Sequence, residues 1–201
     1  MPKRAVNGVD IVMSALLLIV LSPLLTLIAL AVWLTTRGPM VFRQTRVGYD
    51  GRQFQMYKFR SMVNGAEAMK KDLQSQSIYT DPRTFKIPND PRITRVGRFL
   101  RRSSLDEFPQ LWNVLRGEMS LVGPRPPLAE EVEKYEEHNY TRFDMKPGIT
   151  GPWQVSGRNQ IMDFEEIIAL ETEYLTDWSL TKDFGILLRT IPAVVSMKGA
   201  L

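Results

Sequence analysis

The longest apolar segment of the chain lies close to its amino terminus. The 24 residues from Ile11 to Leu34 carry no formal charge, and basic side chains flank them at Lys3, Arg4 and Arg37. One helix of this length would reach about 36 Å, against about 30 Å for the hydrocarbon core of a bilayer. The pattern therefore predicts a membrane element within residues 1–37.

Ser22 and Pro23 interrupt this segment near its midpoint. Proline removes a backbone hydrogen bond, and the serine hydroxyl can donate to the carbonyl freed in the preceding turn. Each half would reach about 18 Å, enough for one leaflet, and the positive-inside tendency opposes sending either basic end across. We therefore favour a re-entrant helix hairpin broken at Ser22-Pro23. The alternatives are a kinked single span and a cleaved signal peptide, which the small residues around Ala29 and Ala31 would suit.

After the membrane element, alternating apolar and polar positions predict a small β-hairpin. Two strands are expected within residues 40–59, on either side of the reverse-turn sequence Tyr49-Asp50-Gly51. The second strand places Phe54, Met56 and Lys58 on one face. A lysine is thereby expected on the same side of the hairpin as the apolar residues.

Helical spacing of apolar positions predicts further helices over residues 66–76, 93–100, 162–174 and 182–195, with a long polar loop at 77–91. In the second helix, arginines recur every third residue opposite apolar positions. This pattern is typical of an amphipathic helix on an anionic membrane surface, although a solvated face of a packed helix has the same pattern. We expect an α+β fold, mostly helical, with surface amphipathic helices and the hairpin on one compact domain over 38–201.

Composition narrows the chemistry. The 201 residues include no cysteine and a single histidine, His138, and their formal net charge is +4. These counts exclude disulfides, thiolate metal sites and cysteine nucleophiles, and a lone histidine in a polar run favours a solvated surface position. The positive charge favours anionic partners such as phosphates and acidic lipids. Catalysis therefore has to depend on carboxylates and cations.

The sequence Ser104-Leu105-Asp106-Glu107 provides neighbouring carboxylates. Serine followed three residues later by glutamate is a capping-box pattern, which predicts a helix beginning at Leu105 with Pro109 in its first turn. Asp106 and Glu107 would then lie at the positive end of the helix dipole, about 100° apart, so that one can attack while the other holds a metal. Taken alone, such a pair is more commonly a helix cap.

Two loops farther along the chain add cations. Arg125 lies between prolines in residues 123–127. The prolines fix its backbone and would direct its guanidinium at a phosphate, although an ordinary turn has the same composition. Residues 146–159 contain Arg158, several glycines and Trp153. This loop suits a nucleotide or sugar phosphate, but the tryptophan could equally belong to the core.

Together these segments resemble the monotopic bacterial phosphoglycosyl transferases, also called bacterial sugar transferases. The similarity extends from about residue 5 to the carboxyl terminus in unbroken order, and includes Ser22-Pro23. It rests on residues 57–62, 90–101, 104–107, 117–126 and 146–159. The chain resembles in particular the catalytic core of undecaprenyl-phosphate hexose phosphotransferases.

The resemblance implies transfer of a sugar 1-phosphate, preferably a hexose, from a UDP-sugar to polyprenyl (undecaprenyl) phosphate, with release of UMP. It implies a reaction at the cytoplasmic face of the bacterial inner membrane, within a catalytic domain over 38–201, and it implies no nucleic-acid partner. Asp106 is implied as the nucleophile that forms a covalent phosphosugar intermediate, and Glu107 as the ligand of Mg²⁺. Substrate contacts are implied for five further residues: Arg101, Arg125, Arg158, Lys58 and Arg60. Formation of a homodimer is left open.

Two other functions share parts of these motifs. A membrane-bound metal-dependent phosphohydrolase would use water in place of the lipid acceptor and release free sugar phosphate. A non-catalytic basic protein of membrane surfaces or nucleic acids would show salt-sensitive binding without magnesium-dependent nucleotide release. Product analysis separates the three.

Overall fold

A computed structural model describes residues 8–36, 38–70, 72–73, 81, 87, 89–157, 161 and 163–195. Its helices are α1 (Gly8–Thr36), α2 (Arg95–Arg102), α3 (Gln110–Leu115), α4 (Ala129–Val132), α5 (Pro152–Val155), α6 (Phe164–Thr176) and α7 (Leu180–Val195). Its strands are β1 (Val41–Val47), β2 (Gln53–Phe59), β3 (Ser120–Val122) and β4 (Gly148–Thr150). The described part is mostly helical, as the sequence predicts, with two small sheets, of which the sequence predicts only the hairpin.

The apolar segment forms the single helix α1. Within the described ranges it is the helix long and apolar enough to cross a membrane, with 29 residues, a mean hydropathy of 2.8 and only 11% of its apolar window buried. Pro23 lies inside it, and Ser22 Oγ donates to the carbonyl oxygen of Ile19 at 2.8 Å. That carbonyl is the one that proline leaves without its usual amide partner. The predicted serine contact is confirmed, whereas the re-entrant path stays a prediction.

Both halves of α1 pack against the rest of the protein. In the first half, Ser120 Oγ at the start of β3 donates to Asp10 Oδ2 at 2.7 Å, and both side chains are buried. In the second half, Ile28 and Val32 are buried in a cluster with Leu100 of α2. The two ends of the apolar helix are therefore attached to the same domain.

The predicted β-hairpin is confirmed. Strands β1 and β2 pair antiparallel along their whole length, with Val41 opposite Phe59. The connecting turn has positive φ at Asp50 (58°) and Gly51 (71°), which is the backbone that tight hairpin turns require. Met56 on the predicted inner face is buried against α3. The hairpin therefore presents its inner face to the helices that follow.

The helix predicted over residues 66–76 is not found as such. Within the described residues, this segment forms a short 3-10 turn at Ala68–Lys70. Residues 74–76, together with most of the loop predicted at 77–91, lie outside the described residues.

Helix α2 begins two residues later than the apolar spacing predicts. Thr94 caps it, because its hydroxyl oxygen accepts a hydrogen bond from the backbone N–H of Gly97 at 2.9 Å. Arg92 lies before the helix in a buried ion pair with Asp90 at 2.6 Å, so it does not belong to the predicted basic face. The exposed arginines of α2 are Arg95, Arg98 and Arg102.

A short parallel sheet brings the two cationic loops together. Strand β3 pairs with β4 in the register Ser120↔Gly148 and Val122↔Thr150. A Cβ added to Gly148 would lie 2.0 Å from the backbone nitrogen of Gly123, so this close approach requires glycine. Helices α6 and α7 pack beside this sheet and confirm the last two predicted helices to within two residues. The loop after β3 and the loop around β4 consequently meet.

Candidate active site

The Asp106-Glu107 pair lies in a 3-10 turn rather than at the start of a helix. Ser104 has a left-handed backbone, with φ of 55°, and its side chain forms no capping bond. Its amide donates to the carbonyl of Arg101, which removes the partner that the glutamate of a capping box needs. The predicted capping box and the predicted helix-dipole position are therefore wrong. The acidic pair is held by tertiary contacts instead.

Glu107 is paired with a lysine from the hairpin. Lys58 Nζ, near the end of β2, lies 2.8 Å from Glu107 Oε1. Burial lowers the pKa of Lys58, and the neighbouring Glu107 carboxylate opposes that effect. The structure thus brings together two predicted site residues that lie in separate segments of the sequence.

Asp106 is the more buried of the two carboxyls, with 7% of its surface exposed. Burial, followed by the charge of Glu107, raises the pKa of Asp106 from 3.8 to about 6, while Lys58 and Arg101 act in the opposite direction. A carboxylate that is poorly hydrated yet still ionised at neutral pH is typical of catalytic sites. Asp106 therefore has the environment of a reactive group.

Arg101 and Arg60, both predicted to contact substrate, lie in different surroundings. Arg101 of α2 donates through Nε to Ser61 Oγ at 2.8 Å, and its positive charge acts on Asp106. Burial lowers the pKa of Arg101. Arg60 instead contacts Asn64, whose amide also donates to the last residue of α1. Arg60 therefore lies toward the carboxyl-terminal end of α1.

A cleft with an open volume of about 240 Å³ lies beside Glu107. Its wall carries the cations Lys58, Arg46 and Arg125, together with Glu107. Three positive groups and one negative group favour an anionic ligand. Arg158, which was also predicted to contact substrate, lies outside the described residues.

Sequence reasoning missed Arg46. Its guanidinium is buried in β1, where it donates to the carbonyl of Pro126 at 2.9 Å and to Gln44 Oε1 at 2.7 Å. Burial, and then the charge of Arg125, lower the pKa of Arg46 to about 10. The hairpin register contained the signal, because Arg46 pairs with Phe54 and hence shares the inner face of the hairpin.

The Arg125 loop forms the opposite side of the cleft. The three prolines of this loop are buried, while the Arg125 side chain is exposed and its guanidinium carbon lies 5.6 Å from the centre of the Trp153 ring. Among the residues that the structure describes, the indole N–H of Trp153 and the amide oxygen of Gln154, which also lines the cleft, are buried without a hydrogen-bond partner. Such unpaired polar atoms are costly unless a ligand or water pairs with them.

The carboxylates are suited to magnesium bound together with a substrate. Within the described ranges, no group of three or more histidine, cysteine or acidic side chains is arranged to hold a metal ion. Mg²⁺, however, keeps several waters and commonly binds through one or two carboxylates plus substrate phosphates. Glu107, whose side chain is 27% exposed, fits that role beside a cleft that favours an anionic ligand.

Comparison with known proteins agrees with these motifs. The family described as bacterial sugar transferase matches residues 2–197. Galactosyl transferase CpsE of Streptococcus agalactiae is 51% identical over 81% of this chain and 36% of its own length. The undecaprenyl-phosphate galactose phosphotransferase of Salmonella typhimurium is 45% identical over 95% of this chain and 40% of its own. The exopolysaccharide production protein ExoY of Sinorhizobium fredii is 41% identical over 98% and 90%.

The chain therefore spans about two fifths of the first two relatives and most of the third. The family match covers nearly all of its residues, including the hairpin, the acidic pair and both cationic loops. This chain belongs to the bacterial sugar transferase family.

Proposed function

We propose that this protein is a phosphoglycosyl transferase that moves a sugar 1-phosphate from a UDP-sugar to undecaprenyl phosphate. The observation that carries the proposal is the buried carboxyl of Asp106, whose pKa of about 6 leaves it ionised at neutral pH next to Glu107 and Lys58, which line the cationic cleft. The Salmonella relative is named for the same acceptor lipid, and two relatives are named for galactose. We accordingly infer a hexose donor.

In the first step, an Asp106 carboxylate oxygen attacks the phosphorus that carries the sugar. A bond forms between that oxygen and phosphorus, the bond from phosphorus to the bridging oxygen breaks, and UMP leaves with the electron pair. In the second step, a phosphate oxygen of the lipid attacks the same phosphorus and releases the Asp106 carboxylate. Two substrates of very different polarity then never need to occupy the site together.

Attack of a carboxylate on a pyrophosphate is opposed by charge repulsion. Lys58 and Arg125, both on the cleft wall, are placed to bind phosphate oxygens and to offset the developing charge. Glu107 would hold Mg²⁺, which supplies further charge neutralisation when bound. Arg101 keeps Asp106 in its ionised form, because its positive charge lowers the pKa of that carboxyl.

We propose that α1 enters and leaves the inner membrane from the cytoplasmic face. A helix that crossed the bilayer once would carry one half away from the domain, whereas buried contacts of Asp10 and Val32 attach both halves to it. Helix α7, which shares a core cluster with the first half of α1, adds an exposed apolar stripe. Its exposed members are Leu180, Phe184, Leu188, Ile191 and Val195. We place this stripe at the lipid interface, which would bring the cleft near the lipid phosphate.

Cysteine labelling tests this topology, because the chain has no cysteine of its own. Single substitutions Gly8→Cys and Met40→Cys place a thiol at an exposed position beyond either end of the apolar segment. An impermeant maleimide should label both in inverted inner-membrane vesicles and neither in intact spheroplasts. Labelling of the two positions from opposite sides would establish a single span.

The reaction is tested with purified protein, Mg²⁺ and a panel of UDP-sugars. We expect about one UMP per protein without acceptor and continued release once undecaprenyl phosphate is added, with lipid-linked sugar as the product. Mass spectrometry should find a phosphosugar adduct on the peptide that contains Asp106. Continued release of free sugar phosphate without lipid would identify a hydrolase, and no UMP release with any donor would refute the transferase.

A further inference from the structure

The backbone of the Arg125 loop is held at every carbonyl from 124 to 127. Two of the donors are backbone amides: the amide of Gly148 donates to the carbonyl of Pro124 (2.9 Å), and the amide of Val47 donates to that of Pro127 (3.0 Å). The other two are guanidinium groups: Arg142 donates to the carbonyl of Arg125 (3.1 Å), and Arg46 donates to that of Pro126 (2.9 Å). Two of these donors are buried arginines rather than backbone amides. The loop is therefore fixed from several elements at once.

Arg125 is held at both ends of its own backbone. Its N–H donates to Glu171 Oε1 at 3.3 Å, and its carbonyl accepts from Arg142. Arg142 in turn donates to the same Glu171 oxygen at 3.0 Å and forms an ion pair with the other at 2.8 Å. The three residues form a closed ring of hydrogen bonds behind the loop.

Neither Arg142 nor Glu171 lines the cleft. Both side chains are almost fully buried, and Arg142 borders a separate small cavity behind the loop. A buried ion pair is commonly no more stabilising than apolar side chains of the same volume. Stability alone therefore does not explain why two charges lie here, whereas their contacts with one peptide unit do.

We propose that Arg142 and Glu171 are positioning residues that act through Arg125. By fixing the peptide on either side of its Cα, they hold the guanidinium over Trp153 and toward the nucleotide phosphates, an assignment that rests on the proposed function. An exposed arginine on a free loop would lose backbone and side-chain freedom on binding a phosphate. With the peptide already fixed, only the side-chain part of that loss remains.

A double-mutant cycle between Glu171→Gln and Arg125→Ala tests the coupling. We expect Glu171→Gln alone to lower kcat/KM for the UDP-sugar about tenfold, mainly through KM, because the guanidinium is less well placed. In the Arg125→Ala background the same change should cost less than about twofold, since there is no guanidinium left to position. Losses that simply multiply in the double variant would show independent roles and overturn the inference.

A milder variant covers the case in which Glu171→Gln does not fold. Tyr135→Phe removes only the hydroxyl that accepts a hydrogen bond from Arg142, and the ring remains in place. We expect about a threefold loss in kcat/KM that disappears in the Arg125→Ala background. An equal loss in both backgrounds would again contradict the proposal.

The matched control is Glu165→Gln. Glu165 pairs with His138 between the same two segments that Arg142 and Glu171 join, but this pair lies at the protein surface. It should leave kcat/KM unchanged. The same cycles measured as the dissociation constant of UDP by calorimetry need no turnover. If the native chain releases no UMP, the proposed reaction fails; if it turns over but the cycles are additive, only the positioning role fails.

Discussion

Two ion pairs of the same length lie on opposite sides of the Arg125 loop. In front of it, at the cleft, Lys58 and Glu107 approach to 2.8 Å with side chains 17% and 27% exposed. Behind it, Arg142 and Glu171 also approach to 2.8 Å, but their side chains are 6% and 1% exposed. Distance alone would class the two pairs as equivalent.

Their surroundings separate them. The rear pair is enclosed by Tyr135 and Phe164, whose rings lie 5.7 and 5.9 Å from the Arg142 guanidinium, and it bonds to the backbone of Arg125. The front pair borders an open cleft and a third ionisable group, Asp106. A lysine is a compact point charge that can release Glu107 to another cation, whereas the planar guanidinium behind is fixed by several bonds. Access to ligand therefore makes one pair exchangeable and the other structural.

The largest effect should be a loss of turnover after substitution of Asp106. Asp106→Asn keeps the size of the side chain but removes the nucleophilic carboxylate, so turnover should fall by a factor on the order of 10⁴ or more. UMP release in a single-turnover assay and the phosphosugar adduct should both disappear. Full turnover by this variant would refute the covalent scheme, while circular dichroism would verify that the variant is folded.

The next largest effect is a difference in stability between variants of the two ion pairs. Glu171→Gln leaves the buried Arg142 guanidinium without a counter-charge and should lower the free energy of unfolding by about 3 to 5 kcal/mol. Glu107→Gln, its counterpart at the cleft, should cost less than about 1 kcal/mol, because Asp106 still offsets the Lys58 charge and because one negative charge next to Asp106 is lost. Denaturant unfolding in detergent micelles measures both. Equal losses would mean that the two pairs are structurally equivalent.

Sequence patterns predicted the parts of this site that depend on local chemistry. Turn residues and alternation predicted the hairpin, and the Ser22-Pro23 pair predicted the hydroxyl contact with Ile19. The capping box failed, because Lys58, 49 residues away from Glu107, takes up its carboxylate. A local pattern contains no information about a partner at that separation.

For a related reason, sequence motifs could not predict the ion pair of Arg142 and Glu171. Arg142 and Glu171 are 29 residues apart, and neither lies in a segment whose composition indicates a site. Their role exists only through the folded position of Arg125. Arg46 was accessible in principle, since the hairpin turn sets the register that places it on the inner face.

A smaller effect concerns the stability that the protein loses by keeping the Asp106 carboxylate ionised in a buried position. Its pKa in the folded protein, about 6, lies above the ordinary value of 3.8, so the folded state holds the extra proton between these two pH values. Stability therefore falls as pH rises from about 4 to about 6, and the cost is fully present above that range. Asp106→Asn removes it.

The variant should be more stable than the native chain at pH 8, by up to about 3 kcal/mol, and the gain should vanish near pH 4. Thermal unfolding at the two pH values measures the difference. Asp144→Asn changes an exposed aspartate and should show no such pH-dependent gain. A variant at position 106 that is equally stable or less stable at pH 8 would mean that burial does not strain this carboxyl.

The smallest effect concerns an exposed hydrogen-bonded pair that joins the same two segments as Arg142 and Glu171. His138 Nε2 lies 2.6 Å from Glu165 Oε2, and both side chains are exposed, which confirms the surface position predicted for the only histidine. Glu165→Gln should change the free energy of unfolding by less than about 0.5 kcal/mol, because water can solvate the exposed His138 ring. Denaturant midpoints of this variant and of Glu171→Gln, measured in parallel, give the comparison. A loss at Glu165 as large as the loss at Glu171 would mean that burial does not govern the strength of these pairs, since the connected segments are the same.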